Sequence, residues 1–497
     1  MRTRLPFLIV ALLAVSVNAA AEDARAVIDE VSRAMGVTNL TSIALAGSAA
    51  VGNFGQSRTI SFGLASSGIS NFVRAIDFSK SSAHSVGIVT GKPVQGGLPA
   101  GPWEETIGPA DGWAQQLEIW TTPWGFLKGA AANGATVKTQ KIDGVPFRVI
   151  TWSPPMKAPS GQPYRVVGYI NAMNLVERTE TWVEHPVFGD MDVLNLFSKY
   201  QDVGGLQVPA RIAQRRMAME TFVAVITNVN INPANLSTLM ASIDAARTAT
   251  PHLTSVTSER IADGIYRLKS GYDALAVELK DYVVVLGGGS SCGMEDCAPA
   301  ESEKLGLAII AETKRLFPAK PIKYVVNTHP HFDHLAVLAP FAAEGITILT
   351  DDPNHFFIES ALSEPRTLVG DALARSKKKP KVESVDEMLV LGDPSTGSGQ
   401  APSTGSGQAG RSIELHHLLK IEHSDGMLAA YLPKEKILFV GDIDVPAAGE
   451  PPSPSLLSLF QNVDRLNLDF DRYITVRPPV PDRPIHRADL VALAQDK

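Results

Sequence analysis

Cysteine is scarce in this chain, and Cys292 and Cys297 are the only two among 497 residues. So few cysteines exclude a disulfide framework as the main source of stability. Both lie in the short stretch SSCGMEDC, where we expect a local disulfide or two free thiols. A metal role is less favoured, because a structural zinc site needs more ligands than this stretch supplies.

Excess positive charge is also lacking. The chain has 45 Lys and Arg against 52 Asp and Glu, which gives a formal net charge of −7. Nucleic acids and anionic membrane surfaces attract basic proteins, so neither is expected as a partner. Hydrophobic residues make up 44% and charged residues 20%, a composition typical of a globular protein with a sizeable core.

Long hydrophobic runs are absent except at the N-terminus. Arg2 and Arg4 precede an apolar run over residues 5–17, and small residues follow it. This pattern predicts a secretory signal peptide over residues 1–21, with an uncleaved membrane anchor as the alternative. The run is shorter than the roughly 20 apolar residues that span a bilayer. We therefore expect a periplasmic or secreted protein with no membrane span after signal removal.

Low complexity is confined to one segment of the C-terminal half. Residues 393–410 contain the octapeptide PSTGSGQA twice, at 394–401 and again at 402–409. Gly, Ser and Gln at this density bury too little surface to become ordered, so a flexible loop is predicted. A natural loop and an engineered linker would look alike here, and neither would carry chemistry.

The pattern of apolar runs and turn residues divides the chain into two expected domains. Residues 22–250 begin with a short predicted helix and continue as β-rich runs separated by Gly, Pro and Ser, which favours a mainly antiparallel β domain. Examples of these runs are residues 57–64, 147–152, 164–171 and 222–229. Residues 251–497 alternate predicted strands with amphipathic helices, such as the one over 302–317, as a layered α/β domain does.

The densest group of metal-capable residues follows a predicted strand over residues 322–326. The sequence HPHFDH supplies His329, His331, Asp333 and His334 within six positions. Residues two apart in an extended backbone project to the same side, so His329 and His331 can bind one ion together. Imidazole nitrogens and carboxylate oxygens suit zinc, and we therefore predict a metal site rather than a loop with unrelated polar residues.

This motif is similar to the HxHxDH signature of the metallo-β-lactamase-fold hydrolases. In that family a third histidine precedes a hairpin and a bridging aspartate follows it. His423 and Asp442 hold these positions around the predicted strands 427–432 and 437–440, in the text YLPKEKILFVGD. The resemblance covers the chain from about residue 254 onward and implies an αββα sandwich. It also implies a first metal bound by His329, His331 and His423, a second bound by Asp333 and His334, and Asp442 as the bridge.

The C-terminus departs from the family pattern. The family closes with a histidine after a strand, where this chain has Arg477 in YITVRPP. Arginine offers no lone pair to a metal, and His486 is the only histidine left for that position. The resemblance therefore implies one or two zinc ions per chain.

Hydrolysis is the expected function. A zinc ion held by three neutral histidines leaves a position for water and lowers its pKa to about 7. Asp333 is the candidate catalytic residue, because its carboxylate would orient that water or accept its proton. The small-molecule substrate would be an ester, lactone, amide, thioester, sulfate or phosphate ester. The alternative is an envelope binding or carrier protein with a degenerate, low-activity hydrolase domain.

The N-terminal half carries a weaker resemblance. Residues 197–211, FSKYQDVGGLQVPAR, and a following strand that ends at residues 230–232 are similar to outer-membrane lipoprotein carrier proteins. The resemblance implies a concave sheet that either holds a greasy ligand or serves as a docking or dimerisation module. A structural role is favoured, and a homodimer is a possible consequence.

Overall fold

A computed structural model of the chain describes residues 23–60, 63–91, 96–241, 254–290, 299–392, 410–446, 450–479 and 482–495. The expected signal peptide, the two cysteines, the tandem octapeptide and the expected domain boundary at residues 250 and 251 lie outside these residues. Among the described helices, none is both long enough and apolar enough to cross a membrane.

The described helices fall into two sets, one for each half of the chain. They are α1 (Ala24–Ala34), α2 (Trp113–Trp120), α3 (Pro123–Ala132), α4 (Leu236–Leu239), α5 (Pro299–Leu316), α6 (Phe332–Leu335), α7 (Leu338–Glu344), α8 (Asp352–Ser363), α9 (Ala372–Ser376), α10 (Pro454–Leu466) and α11 (Arg487–Gln495). The short helix predicted at the start of residues 22–250 corresponds to α1, and the helix predicted over 302–317 corresponds to α5.

The N-terminal half forms one large antiparallel sheet. Its strands are β1 (Ser42–Gly52), β2 (Ser66–Asp77), β3 (Ser82–Thr90), β4 (Gly101–Ile107), β5 (Thr136–Ile142), β6 (Val145–Trp152), β7 (Val166–Ile170), β8 (Val176–His185), β9 (Gly189–Val203), β10 (Leu206–Arg216) and β11 (Met219–Ile231). Their order in the sheet is β4-β3-β2-β1-β11-β10-β9-β8-β7-β6-β5. The predicted mainly antiparallel domain is thus confirmed.

Alternating burial explains how this sheet packs. In β9 every second residue from Gly189 to Phe197 is buried, because successive side chains of a strand point to opposite faces. Helices α2 and α3 pack against the sheet, and their Trp113 and Trp124 share one buried core with Val193. The rings of these tryptophans supply much of the apolar surface buried there.

One predicted strand of this half is wrong. Residues 57–64 read as a β-run, but the described residues 57–60 are a loop between β1 and β2. The carbonyl of Arg58 accepts a hydrogen bond from the amide of Asp425, at 2.9 Å, instead of pairing with a neighbouring strand. The alternation of apolar residues was misleading, because a contact from the C-terminal half takes the place of a sheet partner.

Two sheets and flanking helices build the C-terminal half. The first sheet orders β12 (Thr257–Ala262), β13 (Ile265–Lys269), β14 (Ala274–Glu278), β15 (Val283–Gly287), β16 (Ile322–Val326), β17 (Thr347–Asp351) and β18 (Val382–Val385) consecutively. The second orders β19 (Met388–Gly392), β20 (Ser412–Leu418), β21 (Met427–Leu432), β22 (Ile437–Val440), β23 (Arg472–Thr475) and β24 (Ile485–His486) in the same way.

Both faces of each sheet are covered. In β21, Leu428 and Ala430 belong to the core between the sheets, whereas Met427 and Ala429 pack in a second core with Leu456 of α10. On the other side, α5 and α7 pack over the first sheet. Strands buried on both faces read as continuous apolar runs, as β21 does. The predicted αββα sandwich is confirmed.

Candidate metal centre

The loop after β16 presents four of the predicted ligands on a short stretch of backbone. The side chain of Asn327 holds this loop, since its amide donates to the carbonyl of His329 at 2.9 Å and its oxygen accepts from Thr350 at 3.1 Å. His331 is extended and precedes the first turn of α6, which carries Asp333 and His334. Because the backbone changes from extended to helical, the pair His329 and His331 faces a different part of the site from the pair Asp333 and His334.

Three imidazoles converge with a carboxylate in the first ligand group. The Nε2 atom of His329 lies 3.1 Å from Nδ1 of His331 and 3.2 Å from Nε2 of His423. Oδ2 of Asp442 lies 3.9 Å from Nε2 of both His329 and His423. The four ligand atoms all lie within 4.8 Å of one another, a spacing that one metal ion can bridge.

The second ligand group consists of Asp333, His334 and Asp442. Nε2 of His334 lies 3.1 Å from Oδ1 of Asp442 and 4.0 Å from Oδ2 of Asp333. The other ring nitrogen, Nδ1, lies 3.1 Å from the carbonyl oxygen of Gly288, which only accepts, so Nδ1 carries a proton. Asp442 offers one oxygen to each group and is therefore placed as the shared residue.

These ligands come from separate strand ends that meet at one edge of the sandwich. His329 follows β16, Asp442 follows β22, and His423 precedes β21, which runs antiparallel to β22. The amide of Leu428 donates to the carbonyl of Thr328 at 2.8 Å and ties the two sheets together at this edge. The structure thus brings together all six predicted metal-site residues.

The three histidines of the first group favour the neutral form, which is the form that binds a cation. Burial, followed by the neighbouring imidazoles, lowers the pKa of His329 well below its usual value. Burial also lowers the pKa of His331 and lowers that of His423 to about 3. Neutral imidazoles keep the lone pairs that bind zinc, so the residues of the first group fit a zinc ion.

In the second group, burial and neighbouring charges shift the pKa values in opposite directions. Burial by itself lowers the pKa of His334, but the carboxylates of Asp442 and Asp333 outweigh it and raise that pKa to about 9. Burial would raise the pKa of Asp442, yet the charges of His334 and Arg477 hold it below its usual value. A metal ion at the second group must therefore displace the proton from Nε2 of His334, the nitrogen that faces Asp442.

Arg477 lies beside the shared carboxylate. Its Nη2 atom is 3.2 Å from Oδ2 of Asp442 and 3.2 Å from Oδ2 of Asp444. The guanidinium carbon lies 5.7 Å from the ring centroid of Tyr272, a cation–π contact. His486, in contrast, lies in β24 with an exposed side chain and belongs to neither ligand group. A cation of the protein itself thus stands next to the carboxylate that the two groups share.

Sequence reasoning missed three residues around the ligands. The amide nitrogen of Gln56 donates to Oδ1 of Asp333 at 3.1 Å, and the carbonyl of Ser57 lies 3.2 Å from Nε2 of His331. The ring of Tyr272 lies edge-on to His334, with centroids 5.5 Å apart. None of the three belongs to a motif, and only Ser57 lies in the run 57–64 that reads as a strand.

A cavity of about 360 Å³ opens against the first ligand group. It is lined by Gln56, Gly96, His331, Glu422, His423, Pro454 and Ser455. Cavities of roughly 300–1,000 Å³ are typical for small ligands, so this one has room for a small molecule in contact with two of the histidines.

Two comparisons with known proteins found matches, one with a family model and one with solved structures. Residues 272–490 match the family model of the metallo-beta-lactamase superfamily. The metallo-beta-lactamase from Pontibacter korlensis is 16% identical, with a TM-score of 0.33, over 49% of this chain and 100% of that one. The metallo-beta-lactamase from Hirschia baltica is 17% identical, with a TM-score of 0.32, over 48% of this chain and 96% of that one. The mono-zinc form of the metallo-beta-lactamase FIM-1 from Pseudomonas aeruginosa is 15% identical, with a TM-score of 0.31, over 50% of this chain and 96% of that one.

No curated protein matches the chain in the sequence comparison. The family match begins at residue 272, so the resemblance of the N-terminal half to lipoprotein carrier proteins stays a prediction.

Proposed function

We propose that this protein is an exported, zinc-dependent hydrolase acting on a small molecule, because residues 272–490 match the family model of the metallo-beta-lactamase superfamily. The bond cleaved would be an ester, lactone, amide, thioester, sulfate or phosphate ester. Export rests on the signal-peptide pattern of residues 1–21. The proposal treats residues 22–250 and 251–497 as the two domains of one enzyme.

The convergence of His329, His331 and His423 with Asp442 is the observation that carries this proposal. These four residues would hold one zinc ion. A zinc ion bound there would supply a Lewis acid and would lower the pKa of a water molecule to about 7. The protein itself then needs no serine or cysteine nucleophile.

The remaining residues of the site have separate tasks. Asp333 is buried, and Gln56 occupies one of its oxygens, so the other would orient the attacking water or accept its proton. Arg477 carries a permanent positive charge and would stabilise negative charge that develops on the substrate oxygen. The cavity next to His331 and His423 would bind the substrate.

Arg477 also supports a site with a single tightly bound ion. Its guanidinium neutralises Asp442, the residue that a second ion would share with the first. The charge that a second metal brings in other sites would then come from the side chain. We therefore propose one zinc ion in the first group and weak metal binding, at most, in the second.

The test is a panel of chromogenic esters, lactones, a β-lactam, and sulfate and phosphate esters, assayed with and without a chelator on protein of measured zinc content. We expect at least one substrate to be hydrolysed in a chelator-sensitive way and His331→Ala to abolish that activity. The matched control is His486→Ala, whose side chain is exposed outside both groups. Parent-like hydrolysis by His331→Ala would reject the proposed site, and a chain without zinc or activity would favour the carrier alternative.

A further inference from the structure

The loop between β1 and β2 lies against the metal centre, although it belongs to the N-terminal sheet. We call residues 53–58 the β1–β2 segment. Within it the carbonyl of Gly55 accepts from the amide of Phe332 at 3.0 Å. Gln56 is hydrogen-bonded to Asp333, and the carbonyl of Ser57 is hydrogen-bonded to His331, at the distances given above. Three successive residues thus contact three successive residues of the HPHFDH motif.

The same segment reaches the loop that carries His423. Arg58 pairs with Glu422 at 2.9 Å and with Asp425 at 3.0 Å, so its guanidinium bridges both sides of that histidine. Exposed ion pairs contribute little stability by themselves. Their consequence here is geometric, because one short segment of the N-terminal half fastens both histidine-bearing loops of the C-terminal half.

A close backbone approach holds the segment in place. Gly55 has a φ of +87°, and a Cβ atom on it would lie 2.4 Å from Cδ2 of Phe332. Only glycine fits at such a position without strain or collision. Beside it, the ring of Phe54 packs edge-on to Phe332, with centroids 4.9 Å apart. Phe332 is buried, and it lies between His331 and Asp333 in the sequence.

We propose that the β1–β2 segment is part of the metal centre, where Gln56 positions Asp333 and the Ser57 carbonyl positions His331; this inference rests on the proposed function. A carbonyl oxygen only accepts, so the Nε2 atom of His331 carries the proton and its Nδ1 atom keeps the lone pair. That Nδ1 atom is the one that faces Nε2 of His329. Hydrogen bonds of this kind orient metal-binding histidines in many zinc sites.

Gln56 has the corresponding effect on Asp333. Its amide occupies Oδ1, and Oδ2 is then the oxygen that faces His334. The side chain also lines the cavity together with His331 and His423. Gln56 is therefore a positioning residue that the N-terminal domain supplies to the hydrolase domain, and the two domains would form one functional unit.

The test removes the amide donor and keeps the length of the side chain, with Gln56→Met in the full chain. Gln140→Met is the matched control, because Gln140 is exposed in β5 of the same sheet. Three properties are measured: zinc affinity by competition with a chromophoric chelator, the visible spectrum of the cobalt-substituted protein, and the unfolding midpoint of the metal-free protein. We expect Gln56→Met to weaken metal binding at the second group, which contains Asp333, about 10–100-fold and to leave binding at the first group close to that of the control. The cobalt spectrum should change, at an unfolding midpoint close to that of the control.

Two other outcomes would overturn the inference. If the parent and Gln56→Met bound zinc equally well and gave the same cobalt spectrum, the segment would be mere packing, and the proposed function would stand. If the parent bound neither zinc nor cobalt, the proposed function would fail together with the inference. The binding data for the parent chain separate these two cases.

Discussion

The guanidinium of Arg477 lies 3.2 Å from Oδ2 of Asp442, the carboxylate that both ligand groups share. A fixed positive charge this close to a shared ligand repels a second cation and offsets the negative charge that Asp442 would offer to it. The ion pair thus makes the two groups unequal, since the three histidines of the first group remain available.

Replacing this charge is expected to change the number of bound metals. Arg477→His removes the permanent cation and adds a nitrogen ligand, so zinc bound after equilibration should rise from one to two per chain. The measurement is metal content together with zinc titration. Arg483→His is the matched control, because Arg483 is half-exposed and pairs with Asp489 away from the site. Unchanged stoichiometry and affinity in Arg477→His would contradict the role given to Arg477.

Metal removal is expected to lower thermal stability. A ligand that binds only the folded state stabilises it by about 2.7 kcal/mol when its concentration is 100 times Kd. The unfolding temperature of the parent should therefore fall on chelation, and His423→Ala should lose most of the difference between zinc-loaded and metal-free protein. His486→Ala should keep that difference. An unfolding temperature that did not respond to zinc in the parent would argue against a preformed site.

The contact between the β1–β2 segment and the metal loop predicts an unequal response of two glycines. Gly55 and Gly134 both have positive φ, but a Cβ atom would collide with Phe332 only at Gly55 and would meet nothing within 4 Å at Gly134. Gly134→Ala should cost about 1 kcal/mol for backbone strain, and Gly55→Ala roughly 1–3 kcal/mol more for overpacking. Denaturant unfolding measures both. Equal losses would mean that the loops do not pack as described.

His185 predicts how stability depends on pH. Burial, reinforced by the charges of Arg216 and Arg366, lowers the pKa of His185 from 6.5 to about 3. Between these two values the unfolded chain binds a proton that the folded protein does not. Stability should therefore decrease as the pH falls from 6.5 toward 3, with this residue contributing up to about 1.4 kcal/mol per pH unit.

The check is the unfolding free energy as a function of pH for the parent and for His185→Gln. The variant should lose a slope equivalent to one proton over this range, whereas His486→Gln, at an exposed position, should behave like the parent. If His185→Gln and the parent had the same slope, His185 would not be the neutral, buried group described here.

Local patterns were sufficient for much of the C-terminal fold. The strands predicted over residues 427–432 and 437–440 are β21 and β22, with the same ends and the expected pairing. Apolar runs bounded by turn residues encode such strands within a few positions of the chain. The same reasoning failed for residues 57–64, because the partner of that segment lies in the other half of the molecule.

The sequence by itself determined the fold class and the close spacing of His329, His331, Asp333 and His334, because neighbouring positions on the chain carry both kinds of information. Only the tertiary structure decided that His423 and Asp442 reach these residues and that Arg477 stands beside the shared carboxylate. It also decided that Gln56, 277 positions before Asp333, holds one of its oxygens. Contacts over such separations depend on how whole sheets pack, and that packing cannot be inferred from any local run of residues.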